Sequence, residues 1–208
     1  MLCSLCSRGT LETNIINQKE YLHCLNCKAI FLASKHFLSP AEEKARYEKH
    51  NNDIHDPGYQ EFVRPIVENV IANHSPGSHG LDYGCGTGPV ITAELSKKGY
   101  NTKLYDPYFN PSISVLKRQY DYIVCCEVME HFQHPIEEFR QLKSLLNPGG
   151  SLYCKTSLYD DKIDFDNWYY KDDPTHVTFY TAKALHYIKD RLGYLTLEIK
   201  PGVLILGN

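Results

Sequence analysis

Two sets of side chains in this sequence have the types and spacing for chemistry. Glu127, Glu130 and His131 follow one another at i, i+3 and i+4, and His176 lies in Asp172-Asp173-Pro174-Thr175-His176. On a helical turn the first three would share one face. Two carboxylates and imidazoles can move a proton, or together hold a divalent ion such as Mg, Mn, Fe or Zn. The second set is Cys3, Cys6, Cys24 and Cys27: C-x2-C, 17 residues, then C-x2-C. Two residues between cysteines let a tight turn aim both sulfurs at one tetrahedral ion. His23, next to Cys24, is a competing ligand that a four-sulfur set does not need.

These groups must be positioned by recognisable elements. Glu12–Ile16 and Tyr21–Cys24 are short strand-like runs between the cysteine pairs. Pro40-Ala-Glu-Glu-Lys-Ala-Arg-Tyr-Glu-Lys reads as a helix with Ser39 as its N-cap. His50-Asn51-Asn52-Asp53-Ile54-His55-Asp56-Pro57-Gly58-Tyr59 is a polar loop, read either as a solvated linker or as a cover over a site. Phe62, Val63, Ile66, Val67, Val70 and Ile71 give helical periodicity over Gln60 to Ala72. A short strand then ends near Asp82, and Gly84, Gly86 and Gly88 form a tight turn before a helix from Val90 to Lys98. Such a turn lets a ligand approach the backbone and the N–H groups of the following helix. A second strand ends in Asp106, 20 residues past Gly86. An acid there can accept ribose hydroxyls; the plain alternative is a turn acid before Pro107. Tyr122–Cys126 and Ser151–Thr156 read as buried strands, with an amphipathic helix from Ile136 to Leu146 between them. Alternating strands and helices imply a parallel sheet with ligands at the carboxyl ends.

The whole composition bounds these readings. The chain has 208 residues, 42% of them apolar and 23% charged, with net charge −3. This excludes disorder and a collagen-like chain. No run of about 18 apolar residues predicts a membrane span, and the N-terminus lacks the features of a secretory signal. The paired cysteines then suit a reducing, cytoplasmic setting and a metal more than disulfides.

The cysteine spacing resembles a zinc ribbon, expected over residues 1–35 and stabilised by its metal. L-D-Y-G-C-G-T-G, Asp106, Y-D-Y-I-V-C-C-E-V-M-E-H and L-N-P-G-G-S-L, in that order, resemble a class I S-adenosylmethionine-dependent methyltransferase over about residues 60–208. The resemblance implies an α/β, Rossmann-like fold with sheet order 3-2-1-4-5-7-6. It divides the chain into the ribbon, a 36–60 connector that could cover the active site, and a 61–208 donor-binding domain. Asp82, Gly84, Gly86 and Gly88 are implied to wrap the methionine end and Asp106 the ribose, with Cys85, Pro107, Cys126 and Glu127 completing the cofactor site. Tyr194–Lys200 and Val203–Leu206 match the family's final antiparallel pair. Only 14 residues separate Asp106 from Asp121, so strand 3 is expected to be short or missing. The adenine wall then falls to Tyr105–Phe109 and 115–120.

For methyl transfer the candidate catalytic groups are His131, His176 and Glu130. Topology places the loops after strands 4 and 5 over one crevice. Three readings stay open for Glu127, Glu130, His131 and His176: a second divalent metal site, a metal-free base or orienting pair, or a structural cap. The E-x-x-E-H pattern with a later Thr-His is similar to metal-dependent O-methyltransferases of ubiquinone biosynthesis and of small-RNA 3′ ends. Trp168, Tyr169 and Tyr170 stand where a substrate should enter, to stack on it or to pack a lid. A small metabolite or sugar-like acceptor is favoured. RNA gripped by the ribbon is the alternative, but residues 1–50 carry seven basic and five acidic groups, a weak base for phosphate binding. A third reading is a donor-binding module without catalysis.

Overall fold

The computed structural model describes residues 2–9, 11–49 and 53–208. His50, Asn51 and Asn52 of the proposed covering loop lie outside the described residues.

The chain builds two sheets. The larger has six strands in the order β5-β4-β6-β7-β10-β9. They are β4 (His79–Tyr83), β5 (Asn101–Tyr105), β6 (Tyr120–Cys126), β7 (Leu146–Lys155), β9 (Thr196–Lys200) and β10 (Val203–Gly207). The first four are mutually parallel, and β10 runs antiparallel to both β7 and β9. In family order this is 2-1-4-5-7-6. Strand 3 is missing among the described residues, and a single 3-10 turn, Ile113–Lys117, occupies the short stretch where it would lie.

Helices cover both faces. α2 (Pro57–Asn73) and α3 (Val90–Ser96) pack on one, α4 (Pro135–Ser144) and α5 (Ala182–Leu192) on the other. The pleat of β6 shows why Tyr122–Cys126 is apolar throughout. Tyr122 and Val124 meet Ile66, Val70 and Ile91 on one side, while Ile123 and Cys125 meet Phe139, Leu142 and Leu185 on the other.

The smaller sheet has the order β1-β2-β3-β8. β1 (Leu11–Ile16), β2 (Lys19–Cys24) and β3 (Ile30–Leu32) form an antiparallel meander. The fourth strand, β8 (Thr178–Phe179), comes from far along the chain and pairs with β3. Leu5, Leu22 and Phe31 accordingly share one core cluster with Leu81, Ile123 and Leu185.

After β3 the chain forms α1 (Pro40–Tyr47). Ser39 Oγ accepts from Glu42 N and the Glu42 carboxylate accepts from Ser39 N, a reciprocal cap that fixes where the helix starts.

Candidate active site and cysteine cluster

A cleft of about 920 Å³ opens at the carboxyl ends of β4, β5 and β6, within the range of small-molecule sites. One end is the turn after β4. Gly84 has φ +79° and Gly86 +60°, conformations that glycine adopts without the Cβ clash. A Cβ on Gly84 would also stand 2.4 Å from Val128 Cγ2. Gly84 N and Cys85 N both donate to Tyr105 O, at 2.8 and 3.1 Å, which ties this turn to β5. Asp82 is buried beneath it and accepts from Thr92 Oγ1 at 2.8 Å. Burial pushes its carboxyl up to about 6.

Asp106 closes this end. Its Oδ2 accepts from Gly86 N (3.0 Å), and its Oδ1 from Tyr108 N (2.8 Å) and Phe109 N (3.0 Å). A carboxylate offers about four lone-pair sites, so three backbone N–H groups leave one, on Oδ2. Tyr105–Phe109 line the cleft as the sequence suggested, but the 115–120 stretch does not. Its first residues belong to the 3-10 segment Ile113–Lys117 and Tyr120 begins β6. Cys85, Gly88, Pro107, Cys126 and Glu127 are all in the lining.

At the other end His131 and His176 face each other, ring centroids 4.9 Å apart. His131 Nδ1 lies 2.9 Å from Thr175 O and His176 Nδ1 2.6 Å from Tyr170 O. A carbonyl only accepts, so each Nδ1 carries the proton and Nε2 is the basic nitrogen of each ring. Burial lowers the His131 pKa, keeping the ring neutral.

Glu130 is fully buried beneath them, with its Oε1 4.0 Å from His176 Nε2. The Tyr170 hydroxyl lies 2.6 Å from Glu130 Oε1 and 3.1 Å from Glu127 Oε2, a single O–H shared between two carboxylates. Burial raises both acids, Glu127 to about 8 and Glu130 to about 7. The neighbouring Glu130 charge adds to the Glu127 shift. Glu130 Oε2 is buried with no hydrogen-bond partner among the described residues.

The expected helical face does not form. Glu127 has φ +50°, and the chain then makes a 3-10 turn, Met129–His131. The ligand atoms of Glu130, His131 and His176 lie within 4.8 Å of one another, and Glu127 is outside that group. The left-handed residue swings Glu127 away from the register that a continuous helix would give it.

Two readings left open by the sequence have structural counterparts. Trp168 is buried against Tyr159, Phe165 and Phe179, and Tyr170 is buried too. Of the aromatic trio only Tyr169 is exposed, at 72%, and both Tyr169 and Tyr170 line the cleft. From the connector, α1 supplies Glu43, Arg46 and Tyr47 to the lining, whereas His55 is exposed outside it.

Sequence reasoning missed the contacts that α1 makes. The Tyr108 hydroxyl donates to Glu43 Oε2 (2.7 Å), and Arg46 Nη2 donates to Asp173 Oδ2 (2.7 Å). The Tyr47 ring stands edge-on to His131 at 5.2 Å. Asp173 Oδ1 in turn accepts from Thr175 N and Oγ1, so Arg46 braces the turn whose carbonyl orients His131. The Asp-Pro-Thr sequence signalled the local turn; nothing local signalled Arg46.

The four cysteines are buried together, their sulfurs within 4.8 Å of one another. Cys3 Sγ is 3.7 Å from Cys27 Sγ, and Cys6 Sγ is 3.5 Å from Cys24 Sγ. In each pair the second backbone N–H points at the first sulfur: Cys6 N to Cys3 Sγ, 3.4 Å, and Cys27 N to Cys24 Sγ, 3.5 Å. His23 is not part of the cluster.

The sheet order, the glycine turn after its first parallel strand and the acid after the second define a class I methyltransferase fold. A methyltransferase-domain family profile matches residues 55–199, and the chain belongs to that family. A ubiquinone biosynthesis O-methyltransferase of Citrobacter koseri is 26% identical over 45% of this chain and 50% of its own length. Its namesake in Marinobacter nauticus is 30% identical over 38% of this chain and 35% of its own length. The chain thus spans half or less of these relatives. Among solved structures, the Burkholderia thailandensis 1,6-didemethyltoxoflavin-N1-methyltransferase, bound to 1,6-didemethyltoxoflavin and S-adenosylhomocysteine, superposes with TM-score 0.58 at 13% identity. That match covers 96% of this chain and 99% of the other. Human N-acetylserotonin methyltransferase in complex with SAM gives 0.56 at 11%, over 82% and 56%. Such identities speak for the fold. No helix among the described residues is long and apolar enough to cross a membrane.

Proposed function

We propose that this chain transfers a methyl group from S-adenosylmethionine to a small-molecule acceptor. One observation carries the reading: a single cleft joins the glycine turn and Asp106 at one end to His131 and His176 at the other. The relatives named for ubiquinone biosynthesis and the fold neighbour that binds 1,6-didemethyltoxoflavin support a small-molecule acceptor.

The donor's methionine end fits against Gly84, Gly86 and Gly88 above Asp82, where a side chain at Gly84 would collide with Val128. The remaining lone pair of Asp106 Oδ2 accepts a ribose hydroxyl. Cys85, Pro107, Cys126 and Glu127 complete that end. The donor supplies an electrophilic methyl on a sulfonium. The protein's part is to align the acceptor and to take one proton. Neutral His131, its Nδ1 held by Thr175 O, offers Nε2 for that proton, and His176 orients the acceptor beside it.

Glu130, His131 and His176 also fit a divalent cation. The carbonyl bonds at both Nδ1 atoms are the usual outer support of metal-bound imidazoles, and Glu130 Oε2 is an unsatisfied buried acceptor. When bound, such an ion lowers the pKa of an acceptor hydroxyl.

The cysteine cluster fits zinc. Tetrahedral Zn–S bonds of about 2.3 Å place the sulfurs about 3.8 Å apart, close to the 3.7 and 3.5 Å observed. Cys3, Cys6, Cys24 and Cys27 form a closed set, as in structural sites.

Purified protein incubated with methyl-labelled donor and cell extract, then separated into RNA, protein and small molecules, tests the reading. Label should enter the small-molecule fraction and depend on His131. Label confined to RNA or protein would overturn it. A parallel reaction with chelator, with ribbon zinc measured afterwards, separates metal-assisted from metal-free proton transfer.

A further inference from the structure

The turn that carries Glu130 and His131 is held by one short segment. The Tyr180 hydroxyl donates to Met129 O (2.8 Å), Val177 N to Glu130 O (2.9 Å) and Thr178 Oγ1 to Phe132 O (2.8 Å). That segment begins immediately after His176, so both imidazoles depend on where it lies. Thr178, Phe179 and Tyr180 are almost wholly buried, and a bond lost there is not replaced by water.

The segment's other edge belongs to the cysteine-bearing sheet. Ile30 pairs with Phe179 and Phe31 with Thr178, and Leu32 N donates to Val177 O at 2.9 Å. β3 begins shortly after Cys27, whose own carbonyl accepts from Thr181 Oγ1 at 3.4 Å. The Tyr187 hydroxyl reaches Cys6 O at 3.3 Å. One two-residue strand therefore separates the cysteine cluster from the His131 turn. β8 plays no part in the six-stranded sheet. The donor end is tied instead to β5, through Gly84 N, Cys85 N and Tyr105 O.

We propose that the four-cysteine ribbon is a positioning device for the acceptor end of the cleft: loaded with its metal it fixes β3, β3 fixes β8, and β8 fixes Glu130, His131 and His176. Thr178 is the positioning residue at the centre of this chain of bonds. Loss of the ribbon metal then disorders the histidines while donor binding persists. The inference rests on the reading that these side chains carry the chemistry, and its test is independent of activity.

The two ring Nδ1–H groups are natural reporters, because an N–H held to a carbonyl exchanges slowly with water. In ¹⁵N-histidine-labelled protein, His131 and His176 should each give a protected ring N–H signal. Three perturbations are compared: Cys24→Ser, which removes a ribbon ligand; Thr178→Val, which keeps the shape and loses the hydroxyl; and Thr178→Ser, which restores the hydroxyl. Thr178→Val should retain one zinc per chain yet speed exchange at His131 by about tenfold, as expected for one buried hydrogen bond. Thr178→Ser should restore protection. Cys24→Ser should lose zinc and the protection of both rings, while calorimetry gives an S-adenosylhomocysteine Kd within about twofold of wild type, since the ligand's site is untouched. The proposal is overturned if Thr178→Val leaves His131 protection unchanged, even should Cys24→Ser fail to fold. It is equally overturned if donor affinity falls in step with protection, the mark of general unfolding. Unimpaired methylation by His131→Ala would instead defeat the functional reading and leave the measured coupling standing.

Discussion

Asp82→Asn isolates the electrostatic cost of the donor end. Burial, opposed by the Thr92 hydrogen bond and reinforced by the Asp106 charge, lifts the Asp82 carboxyl from 3.8 to about 6. The folded protein thus holds this proton more tightly than the unfolded chain. Its contribution to stability is fully present below about pH 4, declines as pH rises through 6, and above that is a constant cost. At 1.36 kcal/mol per pH unit, a shift of roughly two units is worth on the order of 3 kcal/mol. Asparagine has no charge to bury, and its carbonyl can keep the bond from Thr92. The variant should match wild type near pH 4 and be more stable at pH 8 by about 1–3 kcal/mol, or several degrees in Tm. Urea denaturation of both proteins from pH 4 to pH 8 measures the difference. The same variant should bind S-adenosylmethionine more weakly, because the carboxylate facing a cationic donor is gone. An asparagine variant whose relative stability falls between pH 4 and pH 8 would refute the reasoning.

Tyr170→Phe removes the hydroxyl shared by Glu127 and Glu130 and should cost about 2–3 kcal/mol in urea denaturation; an unchanged midpoint would show that the carboxylates do not depend on it. Gly84→Ala combines a φ of +79° with a Cβ placed 2.4 Å from Val128 Cγ2. It should cost about 2–4 kcal/mol and weaken S-adenosylhomocysteine binding by calorimetry. Elemental analysis of gently purified protein should give one zinc per chain, and none after Cys24→Ala; a zinc-free wild type would remove the ribbon from the account.

Much of this architecture is legible because it is periodic or spaced. The glycine turn, the acid at position 106 and the apolar run Tyr122–Cys126 announce a parallel sheet. The few residues between Asp106 and Asp121 announce the missing strand 3. That the loops carrying His131 and His176 share one crevice follows from strand order. What could not be read depends on contacts remote in sequence or on single dihedral angles. β8 has two residues, and nothing in Thr178-Phe179 names β3 as its partner. Glu127 takes a left-handed φ without glycine to advertise it, so an i, i+3, i+4 face was the natural but incorrect inference. Trp168 shows the ambiguity of an aromatic cluster: the same Trp-Tyr-Tyr run suits a stacking platform or a core, and only packing against Phe165 and Phe179 decides. The Arg46–Asp173 ion pair joins residues 127 apart in sequence and leaves no local pattern.

The central claim is that a donor methyl group faces His131 and His176 across one cleft, with Glu130 buried beneath them. A crystal structure with S-adenosylmethionine tests it most directly. The expected result has the methionine end against Gly84–Gly88, a ribose hydroxyl on Asp106 Oδ2, and the methyl carbon directed at the space before His131 Nε2, with room for one acceptor atom about 3 Å from each. A donor bound elsewhere, or a methyl group turned away from both imidazoles, would contradict it.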